Sequence, residues 1–91
     1  MHQALFPVGQ TLITPGARDV CAELGVEPLT LLRRHVSGDW SEMSADDQRA
    51  NRAALEDGSR VFSGYTLGQH RFFVITEADR AATTILLASE Y

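Results

Sequence analysis

The sequence predicts an α+β domain in which three N-terminal helices pack on a three- to four-stranded antiparallel β-meander. Apolar residues recur at helical spacing in the first part of the chain, and from Ser59 onward their period changes to two. The length is 91 residues, of which 44% are hydrophobic and 22% charged. This size and balance are typical of one ordinary globular domain, so we expect residues 1–91 to fold as a single unit.

A short first strand and the first helix are predicted at the start of the chain. Val8 to Ile13 is a β-leaning run, which we expect to add to the sheet. Thr14 and Pro15 then signal a helix start, because threonine can cap free amides and proline at the first helical position loses no hydrogen bond. Gly25 can supply the left-handed residue that ends this helix.

Two further helices are predicted before Ser59. The second is expected to begin at Pro28 and end at Gly38, and its inner stripe is expected to consist of Leu29, Leu32 and Val36. The third is expected to begin after Ser44 as its cap and to stop at Gly58. Its apolar face is thin, so we expect it to lie on the surface; that face comprises Ala50, Ala53, Ala54 and Leu55.

The C-terminal third predicts three antiparallel strands. Residues 60–67 and 70–76 are separated by Gly68-Gln69, and a two-residue loop with glycine first favours a type II′ hairpin. That loop predicts a register in which Ser63 faces Val74 and Arg60 faces Glu77. Residues 76–82 then turn the chain into a third strand over 83–87.

Composition excludes several classes of function. Eight arginines, no lysine and twelve acids give a net charge of −4, which argues against general binding to a nucleic-acid backbone. His2, His35, His70 and Cys21 share no ligand spacing, and no phosphate-binding loop or nucleophile motif occurs, so we predict no metal and no cofactor. No apolar run spans a bilayer and no basic leader is visible, so we expect no membrane contact and a cytoplasmic location.

The segment from His35 to Trp40 is the least ordinary stretch of the chain. We predict that Trp40 fills the gap between helices and sheet, with His35 at the rim of its helix stripe. The alternative is a metal-independent RNase-like module with the layout of barnase-like and ribosome-dependent toxins. It would need a proton-transferring group and phosphate-holding groups, and its candidate residues are His35, Arg60, Tyr65 and Thr76.

Acidic residues cluster between Asp39 and Asp57, where six acids face only two arginines. Clustered like charge steers a complementary partner toward a protein surface. We therefore predict a protein-binding surface that includes this region and the turn around Arg80. Its candidate residues are Asp39, Glu42, Asp46, Asp47, Glu77, Asp79 and Arg80.

Short motifs along nearly the whole chain resemble a family of small proteins carried on plasmids and integrated elements of proteobacteria. Members are labelled plasmid-related protein or, loosely, type I restriction-modification subunit. The motifs are Phe6-Pro7-Val8-Gly9-Gln10, Thr14-Pro15-Gly16-Ala17, Leu32 with Arg34-His35, Gly38-Asp39-Trp40, Asn51 with Ala54-Leu55, Gly58-Ser59-Arg60, Ser63 with Tyr65, Ile75 to Arg80, Thr83 to Leu87 and Glu90-Tyr91.

The resemblance implies a mobile-element protein, and small acidic proteins of that kind counter host defences. It therefore implies an inhibitor or accessory factor of anti-CRISPR or anti-restriction type, with a host defence complex as the protein partner and no direct contact with nucleic acid. A structural dimerisation module remains an alternative. In that case a homodimer would form through the second apolar face of the sheet.

Overall fold

The computed structural model describes residues 4–91; His2 lies outside the described residues. Four strands, three helices and one 3₁₀ turn follow one another along the chain. They are β1 Gln10–Ile13, α1 Pro15–Leu24, α2 Pro28–Val36, α3 Ala45–Asp57, β2 Val61–Leu67, β3 His70–Thr76, β4 Ala82–Leu87 and the 3₁₀ turn Ala88–Glu90.

The sheet is mixed, with the strand order β1-β4-β3-β2. Strands β2, β3 and β4 form the expected antiparallel meander, but β1 pairs in parallel with β4, with Thr11 opposite Thr83 and Ile13 opposite Ile85. The predicted antiparallel sheet with three N-terminal helices is therefore wrong, although the α+β content is present. All three helices lie between β1 and β2, within the long connection that joins β1 to its parallel partner β4.

The β2–β3 hairpin has the predicted register. Leu67 pairs with His70, and the ladder continues to Val61 opposite Thr76. Gly68 has a φ of 61°, as the first residue of a type II′ turn requires. The expected pair of Arg60 with Glu77 would come next and lies beyond the end of the ladder. Because a two-residue loop fixes the count, the side chains fall on the predicted faces.

The predicted ends of α1 and α3 are confirmed. The Thr14 hydroxyl accepts a hydrogen bond from the Ala17 N–H, and the Ser44 hydroxyl accepts one from the Asp47 N–H. Gly25 and Gly58 end the two helices in the left-handed conformation. These signals are local, so sequence alone was enough to place them.

The predicted inner stripe of α2 is wrong for Leu29, whereas Leu32 and Val36 are half-buried. Leu31 and His35 are fully buried against the sheet, whereas Leu29 is 50% exposed. The two buried residues are four positions apart and therefore share one helix face. A histidine can occupy that face only if both ring nitrogens find partners, and the strands supply them.

Two buried clusters hold the layers together. The larger cluster lies between the sheet and the helices α1 and α2, and it consists of Ala17, Cys21, Leu31, Tyr65, Phe72, Val74 and Ile85. The smaller cluster joins the N-terminal segment, α3 and β2 through Phe6, Trp40, Ala54 and Val61. Trp40 is 5% exposed, which confirms its predicted packing role.

The opposite face of the sheet carries Phe62, Phe73 and Ile75, as the register predicts. Tyr91 packs edge-on against Phe62 and Phe73, with ring centroids 5.3 and 5.6 Å apart. The C-terminal residues therefore cover part of this face. Among residues 4–91, none of the helices has the length and hydropathy that crossing a bilayer requires.

Candidate functional site

A buried polar chain runs from α2 across the sheet. The Nδ1 atom of His35 lies 2.5 Å from the Ser63 hydroxyl, and its Nε2 atom lies 2.8 Å from the Thr76 hydroxyl. Thr76 is 2.7 Å from the Thr83 hydroxyl, which donates to the carbonyl of Val8 at 2.8 Å. All four side chains have zero exposure, so water cannot satisfy any of them.

The last acceptor fixes the direction of three hydrogen bonds in this chain. Because the Val8 carbonyl can only accept, the Thr83 hydroxyl donates its single proton to it. Thr83 must then accept from Thr76, and Thr76 must accept from the Nε2–H of His35. In the neutral ring the Nδ1 atom is then unprotonated and accepts from Ser63. A neutral His35 with its proton on Nε2 therefore satisfies every member of the network.

The surroundings of His35 favour this neutral form. Burial lowers the pKa of His35 to about 4, and the positive charge of Arg80 acts in the same direction. The ring of Phe6 stands edge-on to the imidazole at 5.1 Å between centroids. His35 is therefore an uncharged core residue near neutral pH.

The four candidate residues of the RNase-like alternative do not form one accessible patch. His35 and Thr76 belong to the buried network, and the Tyr65 hydroxyl is directed elsewhere, donating to the carbonyl of Asp39 at 2.8 Å. Burial raises the pKa of Tyr65 to about 12. Arg60 is exposed and donates to the Tyr91 hydroxyl at 2.7 Å, packing beside Phe62 of the opposite sheet face. This geometry offers no surface at which a substrate would meet the imidazole.

Two of the predicted partner-binding acids are held in ion pairs by Arg34. Arg34 donates to Asp39 at 2.7 Å and to Glu42 at 3.1 Å. Glu42 also accepts from the Thr66 N–H at 2.7 Å and from Arg71 at 3.3 Å. The bond from Arg34 holds the pKa of Asp39 below its usual range. Asp39 therefore ties the loop between α2 and α3 to α2, and Glu42 ties it to both α2 and the sheet.

The guanidinium of Arg80 likewise makes its hydrogen bonds within the fold. It donates to the carbonyls of Ala54 at 2.9 Å, Ser59 at 2.6 Å and Glu77 at 3.2 Å. A φ of 60° makes Arg80 the one non-glycine residue among 4–91 with a left-handed backbone. The turn before β4 is thereby tied to the C-terminal end of α3, where a cation complements the helix dipole.

The remaining predicted acids are exposed, two in the first turn of α3 and two in the turn between β3 and β4. Asp46 and Asp47 occupy its first turn, and Asp46 is paired with Arg49. Glu77 and Asp79 lie in the turn that Arg80 holds at the other end of the helix, about 12 Å further along its axis. The structure adds two exposed acids from the last turn of α3. We call the set the acidic surface, and it consists of Asp46, Asp47, Glu56, Asp57, Glu77 and Asp79.

Asn51 has a role that the sequence did not indicate. Its side-chain amide donates to the Phe62 carbonyl at 2.9 Å and accepts from the Phe62 N–H at 3.0 Å. These are the two bonds that a neighbouring strand would make. A single asparagine on a helix carries no pattern that would reveal them before the helix is placed beside β2.

Within residues 4–91, no three histidine, cysteine or acidic side chains lie together in a way that could hold a metal ion. Comparisons with protein-family models, curated proteins and solved structures find no match for the chain.

Proposed function

We propose that this protein acts by binding another protein, as an inhibitor or accessory factor directed at a host defence system of the CRISPR or restriction type. The proposal rests on how the polar residues are distributed between the interior and the surface of the protein. The hydroxyls and the imidazole that chemistry would need are buried and bonded to one another, whereas six carboxylates of the acidic surface are exposed.

The charge of the molecule supports a basic protein surface as the target. Carboxylates spaced along one helix create a negative potential that attracts clustered Arg and Lys side chains and accelerates association. Defence nucleases carry such clusters where they bind nucleic acid. The resemblance to small mobile-element proteins favours a host defence complex as the target. It also implies action in the cytoplasm.

Charge reversal tests which surface binds. We expect the double variant Asp46→Lys/Asp47→Lys to lose the interaction with a captured host protein while remaining folded, although two cations in the first turn of α3 oppose the helix dipole and should lower its thermal midpoint. The double variant Asp19→Lys/Glu23→Lys changes the net charge equally on the exposed side of α1 and serves as the matched control. Equal loss in both variants would indicate a general charge effect and would contradict a defined binding surface.

The target class is tested with a tagged protein in lysate from a proteobacterial host that encodes restriction and CRISPR systems. We expect mass spectrometry to identify a subunit of such a system, retained by the wild type and by the Asp19/Glu23 control but lost from the Asp46/Asp47 variant. Inhibition of the purified complex by stoichiometric amounts of the protein must follow. Failure of the purified complex to respond would refute an inhibitory role.

The RNase-like alternative predicts that RNA cleavage depends on His35. Proton transfer by His35 would contribute on the order of 10²–10⁴-fold to a cleavage rate. We expect neither the wild type nor His35→Ala to cleave single-stranded RNA or the messenger on translating ribosomes. Cleavage by the wild type that falls at least a hundredfold in a folded His35→Ala variant would overturn the binding proposal.

A further inference from the structure

A groove lies between helix α3 and the second face of the sheet. Its volume is about 350 Å³, and it is lined by Met43, Asp47, Ala50, Arg60 and Phe62. We call it the α3 groove. Asp47 and Ala50 are exposed residues of α3, and Phe62 belongs to β2. Three of the lining residues are apolar and two carry charges of opposite sign, so the groove suits a side chain that is itself partly apolar and partly charged.

Asp47 supplies the carboxylate of the α3 groove, and this carboxylate has no partner among residues 4–91. No side chain or main-chain N–H of these residues donates to its oxygens, and no ion pair includes it. The neighbouring acids differ, because Asp46 is paired with Arg49 and Glu42 accepts from Arg34. Asp47 is exposed and is therefore available to a cation from another molecule.

Arg60 carries the other charge of the α3 groove, and its hydrogen bond is directed to Tyr91. It donates to the Tyr91 hydroxyl at 2.7 Å, and its guanidinium carbon lies 5.4 Å from the centroid of the Phe62 ring. Within residues 4–91, no ion pair joins Arg60 to Asp47. The position of Arg60 indicates that a guanidinium group can lie over the Phe62 ring.

Two arginines of this protein already lie in surroundings of the same kind. The guanidinium of Arg34 lies over the Tyr65 ring at 4.3 Å and donates to Glu42 at 3.1 Å. Arg71 donates to the same carboxylate at 3.3 Å and lies 3.8 Å from the Met43 sulfur. Each guanidinium thus combines a carboxylate with a ring or a sulfur atom. The α3 groove offers a carboxylate, a ring and the Met43 sulfur, but its carboxylate lacks an arginine.

We propose that the α3 groove binds an arginine side chain of the partner protein. The methylene stem of that arginine packs on Met43, Ala50 and Phe62, while its guanidinium pairs with the Asp47 carboxylate. Arginine fits better than lysine, because a planar guanidinium stacks on a ring and forms two parallel hydrogen bonds with a carboxylate. The inference rests on the proposed function in taking a basic protein surface as the partner.

Charge complementarity favours a cation over an acidic side chain as the occupant. The chain has a net charge of −4, and Asp47 belongs to the acidic surface, which attracts basic groups and repels acidic ones. Arg60 opposes a bound arginine through its like charge. Arg60→Gln should therefore strengthen the binding of an arginine peptide. Weaker binding in this variant would mean that the occupant pairs with Arg60, and it would contradict an arginine in the groove.

Titration of the purified chain with peptides, followed by NMR, is the test. We expect a capped hexa-arginine peptide to shift the methyl resonance of Met43 and to bind more tightly than a hexalysine peptide of the same charge. Asp47→Asn should weaken binding of the arginine peptide about fivefold, since a partly exposed ion pair contributes on the order of 1 kcal/mol. Asp19→Asn removes an exposed acid of α1 and should leave the affinity nearly unchanged. Equal affinity for the two peptides, or an unchanged affinity in Asp47→Asn, would overturn the proposal.

A steric variant separates the α3 groove from the acidic surface as a whole. Ala50→Leu fills the groove without a change of charge and should weaken binding of the arginine peptide as much as Asp47→Asn does. Ala53→Leu, at another exposed position of the same helix, should bind as the wild type. Failure to capture a defence protein would refute the proposed function and leave these peptide results valid. A captured complex that Ala50→Leu retains in full would refute the groove alone.

Discussion

His35 illustrates how a titratable side chain can serve as a core residue. Its two ring nitrogens are satisfied by Ser63 and Thr76, the order of the hydrogen bonds places a proton on Nε2, and burial favours the neutral ring. A protonated ring would bring a second donor to Ser63 and a charge into a site without water. The residue therefore links the stability of the fold to pH.

The sign of this linkage follows from the pKa. The folded pKa of about 4 lies below the ordinary histidine pKa of 6.5, so between these values the unfolded chain binds more protons. The stabilisation is complete above pH 6.5 and is lost as the pH falls toward 4. The depression corresponds to roughly 3 kcal/mol. Urea unfolding at a series of pH values should show this fall in the wild type and in His70→Gln.

His35→Gln should lack that part of the pH dependence, although it will be less stable at neutral pH. The C–H resonances of His35 should also keep their chemical shifts from pH 8 down to about 5, while those of an unperturbed histidine change near 6.5. An unchanged acid dependence in His35→Gln would show that another group is responsible.

Trp40 gives a second prediction at the level of one residue. The Nε1–H is buried and has no acceptor among residues 4–91. Trp40→Ala should cost about 3–5 kcal/mol, because it removes a large ring from the smaller cluster. Trp40→Phe should cost less than about 1.5 kcal/mol, because losing an unsatisfied donor offsets part of the lost packing. Thermal and urea unfolding distinguish the two, and equal costs would mean that the indole N–H has a partner.

At the level of the element, the cover of β2 by α3 depends on one amide. Asn51→Ala should cost about 1–3 kcal/mol, since it leaves the N–H and C=O of Phe62 without partners. Exchange of the Phe62 amide hydrogen should accelerate in the variant. Arg52→Ala, one position along on the exposed side, should change stability by less than about 0.5 kcal/mol. A Phe62 amide that stays protected in Asn51→Ala would contradict this role.

The elements that could be predicted are those whose signals are local. Thr14 and Ser44 cap helices through their own following amides, and the two-residue loop at Gly68 fixes the hairpin register by counting. The direction of β1 could not be predicted, because a four-residue strand looks the same in a parallel and an antiparallel pair. The inner face of α2 was missed since hydrophobic periodicity treats His35 as a polar residue.

The candidate site could likewise be predicted only where its signals are local in sequence. The register placed Ser63 and Thr76 on one face of the hairpin, but their hydroxyls became a buried network only through α2, which is distant in sequence. Likewise, the sequence identified Asp39 and Arg80 as charged residues, and they were predicted to contact a partner protein. Their intramolecular bonds depend on Arg34 and on the end of α3, whose positions only the tertiary structure supplies.

For the whole molecule, charge and apolar surface are divided between the two edges of the sheet. The edge at β2 carries the helix with most of the acidic surface, and a groove without charged lining residues lies between β1 and α2. One domain of 91 residues thus presents two surfaces of different chemistry. Binding at the acidic surface should weaken as salt rises, because it depends on unscreened charge.

The parallel pairing of β1 with β4 also determines the order in which the molecule folds. The hairpin closes over two residues, but the Thr83 hydroxyl meets the Val8 carbonyl across 75 positions of the chain. Loop closure on that scale costs entropy before any contact repays it, so β1 should join the sheet after the transition state. In folding kinetics, Ile13→Ala should speed unfolding with a φ-value near 0, while Val74→Ala in the meander should slow folding. The strand at the start of the sequence is therefore the last to be secured and the first to detach.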